Sequence, residues 1–124
     1  MKIKTKETYE VRIYIGSIYE PNGVPFYESK LILEIGKFQD NYGIQIPVRL
    51  TKTSFVCGLE YGEDGWEIAI INYPKLKAEI EDIELFSESL AEYLLDVFQQ
   101  KRVTLVTPSM SIMYEEDRVA QPME

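Results

Sequence analysis

The feature that most limits the possible folds is a long two-sided helical pattern between Leu76 and Gln99. Apolar side chains recur at helical spacing along one side, at Ile83, Phe86, Leu90, Leu94, Val97 and Phe98. Carboxylates fill the opposite side, at Glu81, Glu84, Glu88, Glu92 and Asp96. A helix of this kind must bury its apolar stripe against a second layer of structure. The pattern therefore predicts a layered domain with one acidic, solvated surface.

The rest of the chain supplies mainly strands for that second layer. Segments of alternating or β-branched residues are Tyr9–Ile15, Ile44–Leu50, Ser54–Tyr61, Trp66–Asn72, Arg102–Thr107 and Ile112–Tyr114. A second amphipathic helix is predicted from about Tyr27 to Tyr42, with Gly43 as its cap. This order predicts a single α+β domain over 1–114, with two helices on an antiparallel or mixed sheet of five to six strands. Residues 115–124 are predicted to form a polar tail.

Local residues refine the predicted sheet. Pro47 indicates that its strand lies at an edge or carries a bulge, because proline cannot donate to a neighbouring strand. The segment from Gly62 to Gly65 predicts a hairpin turn between two strands. Cys57 is predicted to lie inside a strand and to pack in the core.

Composition excludes several classes of function. The 124 residues include no histidine and one cysteine, which excludes an imidazole base, a His-ligated metal and a thiolate zinc site. With 13 basic and 21 acidic residues the net charge is −8, which disfavours binding to DNA or RNA polymers. No cofactor or catalytic motif is found. These absences predict a non-enzyme that uses no cofactor and no metal.

Membrane and export signals are also missing from the sequence. No apolar run reaches the length of a membrane helix, and the first seven residues lack the apolar core of a signal peptide. The chain is therefore expected in the cytoplasm of a bacterial host, without a membrane partner.

Three segments carry residues suited to a small anionic ligand. Arg49–Phe55 combines cations, hydroxyls and an aromatic ring. This segment either binds such a ligand or is an ordinary polar strand end. Asn72 either forms hydrogen bonds with the edge of a nucleobase or bonds its own backbone at the end of a strand. Lys101-Arg102 is a phosphate clamp or a compensation of the helix dipole. Arg118 is either disordered or reaches a neighbouring subunit, and Tyr14 offers a stacking face beside a strand end.

Several of these segments form an ordered set that resembles a known family. The set is Arg12–Gly16, Thr51–Phe55, Ile70–Pro74, 99–104, 106–108 and 112–113. It resembles the first-described type of Thoeris anti-defence protein from phages and prophages. The resemblance implies sequestration of a cyclic ADP-ribose signal, made by bacterial TIR-domain enzymes, without its degradation. It also implies a homo-oligomer, a dimer or a hexamer, with cyclic oligonucleotides as possible ligands of a second site.

Residue chemistry then assigns the candidate ligand contacts. They are Arg102 and Arg49 for phosphate, Phe55 and Tyr14 for stacking, Asn72 for a polar contact with the edge of the ligand, and Arg118 as a contribution from a partner subunit. Two other functions stay open. The acidic helix of a structural module can face a protein partner, or carboxylates can hydrolyse a cyclic nucleotide.

Overall fold

The computed structural model describes residues 1–117, and within them it contains a five-stranded sheet, a two-stranded ribbon and two helices. In chain order the elements are β1 (Glu10–Gly16), β2 (Ile18–Tyr19), β3 (Val24–Pro25), α1 (Glu28–Tyr42), β4 (Val48–Val56), β5 (Gly62–Ile71), α2 (Ile80–Val97), β6 (Arg102–Val106) and β7 (Ser111–Glu115). The large sheet has the order β4-β5-β1-β6-β7, and every neighbouring pair is antiparallel. The predicted α+β fold is confirmed.

Alternation along the strands separates the two faces of the large sheet. In β1, Val11, Ile13 and Ile15 are buried while Arg12 between them is exposed. Inward-facing side chains of β5 and β6 continue the same apolar surface, which packs against the helices. Each large aliphatic or aromatic side chain buried here stabilises the fold by about 1.5–3 kcal/mol. Because packing on this face holds the strands in place, the side chains on the other face can be polar.

The predicted long helix is present in α2, although it begins at Ile80 rather than near Leu76. A capping box sets the start, because the Asp82 carboxylate accepts the Glu79 backbone N–H at 2.8 Å. The apolar stripe lies against the sheet, with Phe86 and Leu90 fully buried.

The first helix matches its prediction closely. It ends at Tyr42, and Gly43 follows with φ of 100°, a conformation that favours glycine. A clamp joins it to the second helix, since Tyr93 Oη donates to Glu34 Oε1 at 2.6 Å. Lys30 Nζ lies 2.9 Å from the same carboxylate. The Tyr93 hydrogen bond, followed by that of Lys30, lowers the pKa of Glu34 to about 2.

The strand after α1 differs from its prediction. Two separate strands were expected around a corner at 49–55, whereas β4 runs unbroken from Val48 to Val56. Pairing with β5 along its whole length explains the continuity. The position of β4 at the sheet edge is as Pro47 predicted.

The hairpin is confirmed, but its turn lies earlier than expected. Gly58 adopts φ of 83°, and Cys57 N donates to Tyr61 O at 3.2 Å, so the chain reverses there. Gly62–Gly65 therefore belongs to β5. The prediction that Cys57 packs in the core is wrong, because the turn leaves this residue exposed.

Neither helix of residues 1–117 is both long enough and apolar enough to cross a membrane. The predicted cytoplasmic location and the domain boundary at residue 114 stay predictions.

Candidate functional site

A cavity of about 240 Å³ opens at the end of β1, on the face of the sheet opposite the helices. We call it the β1-end pocket. Its wall includes Tyr14, Gly16, Glu20, Phe55, Glu63, Gln100, Arg102 and Thr104. The volume lies below the usual range of ligand pockets, which begins at about 300 Å³. A cavity of this size accommodates about a nucleoside, and a larger ligand would extend beyond it.

Two aromatic rings form one wall of the pocket. Tyr14 and Phe55 meet edge to face, with ring centroids 6.1 Å apart and an interplanar angle of 77°. Phe55 reaches this position because Gly65 lies beneath its ring. A Cβ added to Gly65 would lie 2.5 Å from Phe55 Cε2 and 2.5 Å from the Ile15 carbonyl oxygen. The glycine is thus required by the close approach of a ring and a neighbouring strand.

Two carboxylates give the pocket negative charge. Glu20 Oε1 accepts the Lys101 backbone N–H at 2.7 Å, which fixes this side chain at the pocket wall. Glu63 accepts a hydrogen bond from Tyr61 Oη at 2.5 Å, and this bond raises the pKa of Tyr61. Both groups keep oxygen atoms with further acceptor capacity toward a ligand.

Arg102 contributes the positive charge. Its Nε donates to Glu115 Oε2 at 2.8 Å, and its side chain is 52% exposed. The guanidinium has five N–H donors, so this ion pair leaves others for a ligand. The pocket therefore combines a cation, two anions and a pair of rings.

Gln100 joins the strands that carry these groups. Its Oε1 accepts Gly16 N–H at 3.1 Å, while its Nε2 donates to the carbonyls of Ile18 and Phe98. The side chain is only 1% exposed. Because all three bonds go to backbone atoms, Gln100 positions the ends of β1 and β6 relative to each other.

The structure brings three of the predicted contacts together, since Tyr14, Phe55 and Arg102 all line the β1-end pocket. Arg49 instead pairs with Glu10, with 3.3 Å between Nη2 and Oε2, and does not line it. Asn72 accepts Tyr9 N–H and donates to the Glu7 carbonyl, both at 2.7 Å. Both bonds are with the backbone of a distant segment rather than with its own backbone, and Asn72 too lies outside the pocket. Arg118 lies outside the described residues.

The pocket residues that the sequence did not predict include Glu20, Glu63 and Gln100. Glu20 sits in a loop and Glu63 in a segment expected to be a turn. The only local signal was the polar pair Gln99-Gln100 directly after the helix. Their convergence depends on strand pairing between distant parts of the chain.

Comparison with solved structures gives two clear matches for this fold. One is a phage SAM lyase in the apo state, with a TM-score of 0.76, 14% identity and coverage of 94% of this chain and 97% of that chain. The other is a phage SAM lyase in complex with S-methyl-5′-thioadenosine, with a TM-score of 0.67, 15% identity and coverage of 94% and 96%. No family model and no curated protein matches the chain.

The chain thus has the fold seen in these phage SAM lyase structures, one of which holds a small molecule. This finding contradicts the prediction of a non-enzyme, because the structural neighbours are named as enzymes. The prediction failed because the absence of known catalytic motifs does not exclude an enzyme. The comparisons do not confirm the resemblance to the Thoeris anti-defence family, although a phage protein is compatible with it.

Proposed function

We propose that the chain is a lyase that cleaves an adenosyl sulfonium compound of the S-adenosylmethionine type in the β1-end pocket. The observation that carries the proposal is the combination of Tyr14 and Phe55 with two carboxylates and Arg102 around one cavity. The shared fold with phage SAM lyase structures supports the same reading.

Each part of such a substrate finds a matching group in this pocket. Adenine has a π face that stacks on aromatic rings, as Tyr14 and Phe55 provide. A sulfonium cation is attracted by carboxylates and by aromatic faces, and Glu20 and Glu63 supply the former. The carboxylate of the amino-acid part pairs with a guanidinium, here that of Arg102.

The proposed reaction needs no proton acceptor from the protein. An oxygen of the substrate's own carboxylate attacks the γ-carbon of the amino-acid part, so that a C–O bond forms as the bond from this carbon to sulfur breaks. The electron pair of the broken bond stays on sulfur, which gives neutral S-methyl-5′-thioadenosine and a lactone of the amino-acid fragment. A chain without histidine can support this step, because its task is to orient two parts of one molecule.

Arg102 suits the role of orienting the attacking carboxylate. Its charge is already shared with Glu115, so it holds a second carboxylate less tightly than a free guanidinium would. Glu20 and Glu63 bind the cationic sulfur before the step.

Product release from S-adenosylmethionine tests the proposal directly. Purified protein is incubated with this compound, and S-methyl-5′-thioadenosine is measured by chromatography. Arg102→Ala should reduce kcat/KM by about ten- to a hundredfold, as expected for loss of a charge-assisted bond. Arg49→Ala is the matched control, since both side chains are 52% exposed and both pair with a glutamate.

The proposal fails if the intact protein releases no S-methyl-5′-thioadenosine above a no-protein blank. Equal losses for the Arg102 and Arg49 variants would remove Arg102 from its assigned role.

Binding of cyclic ADP-ribose is the second candidate, favoured by the position of Arg102 beside the two rings. Glu20 and Glu63 weigh against it, because two carboxylates repel a pyrophosphate in the same cavity. Thermal shift with each compound separates the candidates. A shift with neither would favour the structural module that uses the acidic helix. The anti-defence role, the homo-oligomer and a second site for cyclic oligonucleotides stay predictions.

A further inference from the structure

A second cavity, of about 550 Å³, lies beside the start of α1. We call it the α1-start pocket. Its wall includes Ser17, Phe26, Glu28, Lys52, Asp64 and Trp66. Trp66 belongs to the apolar core on the helix side of the sheet, so this pocket is distinct from the β1-end pocket on the other face.

Trp66 carries a donor that the protein leaves unused. The side chain is only 6% exposed, and its Nε1–H has no hydrogen-bond partner among residues 1–117. Buried indole N–H groups usually have a partner, because an unpaired buried donor costs free energy. Trp66 lines the α1-start pocket, so a ligand bound there contacts this side chain.

The start of α1 adds further donors at the same place. The preceding residue, Tyr27, makes no side-chain cap bond. The first helical amides, of Glu28 and Ser29, have no acceptor within the helix, and the helix dipole is positive at this end. Such a terminus favours an anionic group.

Lys52 supplies a full positive charge. It pairs with Trp66 across β4 and β5, and its Nζ lies 6.0 Å from the centroid of the Trp66 ring. No ion pair to Lys52 is present in the described part of the chain. The donors of Lys52 and α1 therefore border one cavity, and the Trp66 side chain forms part of its wall.

Two carboxylates on the same wall decide the kind of ligand. Glu28 and Asp64 oppose a simple anion but attract an ammonium group. Phe26 and Trp66 add an apolar surface. A ligand with a carboxylate, an ammonium group and an apolar side chain matches all of these features.

We propose that the α1-start pocket is a second binding site, for a zwitterionic amino acid with an apolar side chain. Its carboxylate is directed to Lys52 and the first amides of α1. Its ammonium group is directed to Glu28 or Asp64, and its side chain contacts Phe26. The site does not depend on the lyase activity proposed above.

Intrinsic fluorescence tests this site selectively, because Trp66 is the only tryptophan of the chain. L-Methionine is titrated into the full-length protein in the absence of any adenosine compound, and calorimetry follows the same titration. A saturable fluorescence change is expected. Lys52→Gln should weaken binding by about tenfold, the effect of losing one charge-assisted contact. Lys75→Gln, an equal charge change at an exposed loop position, should leave the affinity unchanged.

Two single-charge probes complete the experiment. Butyrate lacks the ammonium group and butylamine lacks the carboxylate, so each should bind at least about tenfold more weakly than methionine. Equal binding of butyrate would overturn the proposal in favour of a plain anion site. Absence of both heat and a fluorescence change with methionine would overturn it outright. Neither result bears on S-methyl-5′-thioadenosine release, so a failure here and a failure of the lyase proposal are distinguishable.

Discussion

The two faces of the large sheet are built from the same five strands but do different work. On the helix side, Val11, Ile13 and Ile15 of β1 are at most 2% exposed and belong to a continuous core. On the other side, Arg12 and Tyr14 alternate with them and take part in polar contacts. The helix side therefore supplies most of the folding free energy. The opposite face can then hold charges and rings that stability does not require.

The largest expected effect is on the helix side, at Phe86. This ring is fully buried, with its centroid 5.1 Å from that of Tyr42 and 5.5 Å from that of Phe38. Phe86→Ala should lower the free energy of unfolding by about 3–5 kcal/mol, measured by urea denaturation. Leu85→Ala is the control on the same helix, since Leu85 is 58% exposed, and should change stability by about 0.5 kcal/mol or less. Equal losses of stability in the two variants would contradict the assignment of the folding free energy to the helix side.

The next effect is on the polar side, at Phe55. Phe55→Ala should weaken binding of S-methyl-5′-thioadenosine by about 1–3 kcal/mol, because adenine loses a stacking surface. Val56→Ala, at a neighbouring position that is 76% exposed, should leave binding unchanged. Calorimetry measures both affinities. An unaltered affinity for the Phe55 variant would exclude this ring from the site.

The third effect concerns the clamp between the helices and depends on pH. Because the pKa of Glu34 is lowered from 4.5 to about 2, its ionised form is stabilised by folding. This contribution, about 1–3 kcal/mol, is present above pH 4.5 and is lost as the pH falls toward 2. Glu34→Gln should remove that part of the acid dependence of stability.

Stability curves between pH 2 and 6, a range from the lowered pKa of Glu34 to above its ordinary value, measure the effect. Glu81→Gln, at an exposed position of α2, should keep the acid dependence of the unchanged protein. If the Glu34 variant has the same acid dependence as the unchanged protein, the clamp does not contribute this free energy.

Much of the fold was predictable because its signals are local. Side-chain periodicity defined both helices, and Gly43 correctly marked the end of α1. The error at β4 arose because composition suggested a corner where pairing with β5 in fact keeps the strand continuous. The turn was misplaced because Gly65 looks like a turn residue, whereas its lack of a side chain makes room for Phe55.

The candidate site was predictable only in part. Tyr14, Phe55 and Arg102 were suggested by their chemistry beside strand ends, and all three line one cavity. Glu20 and Glu63 looked like ordinary surface carboxylates, since nothing in their neighbours marks them. Their charges change the expected ligand from a pyrophosphate to a cation-bearing compound.

The sequence by itself determined the layered α+β architecture and the absence of an imidazole base, because periodicity and residue type are properties of the chain alone. Only the tertiary structure decided which charges share a cavity. Antiparallel pairing brings Gly16 of β1 opposite Gly65 of β5, and Gln100 binds the backbone of β1 from far along the chain. Such distances in space follow from strand register, which short sequence segments do not encode.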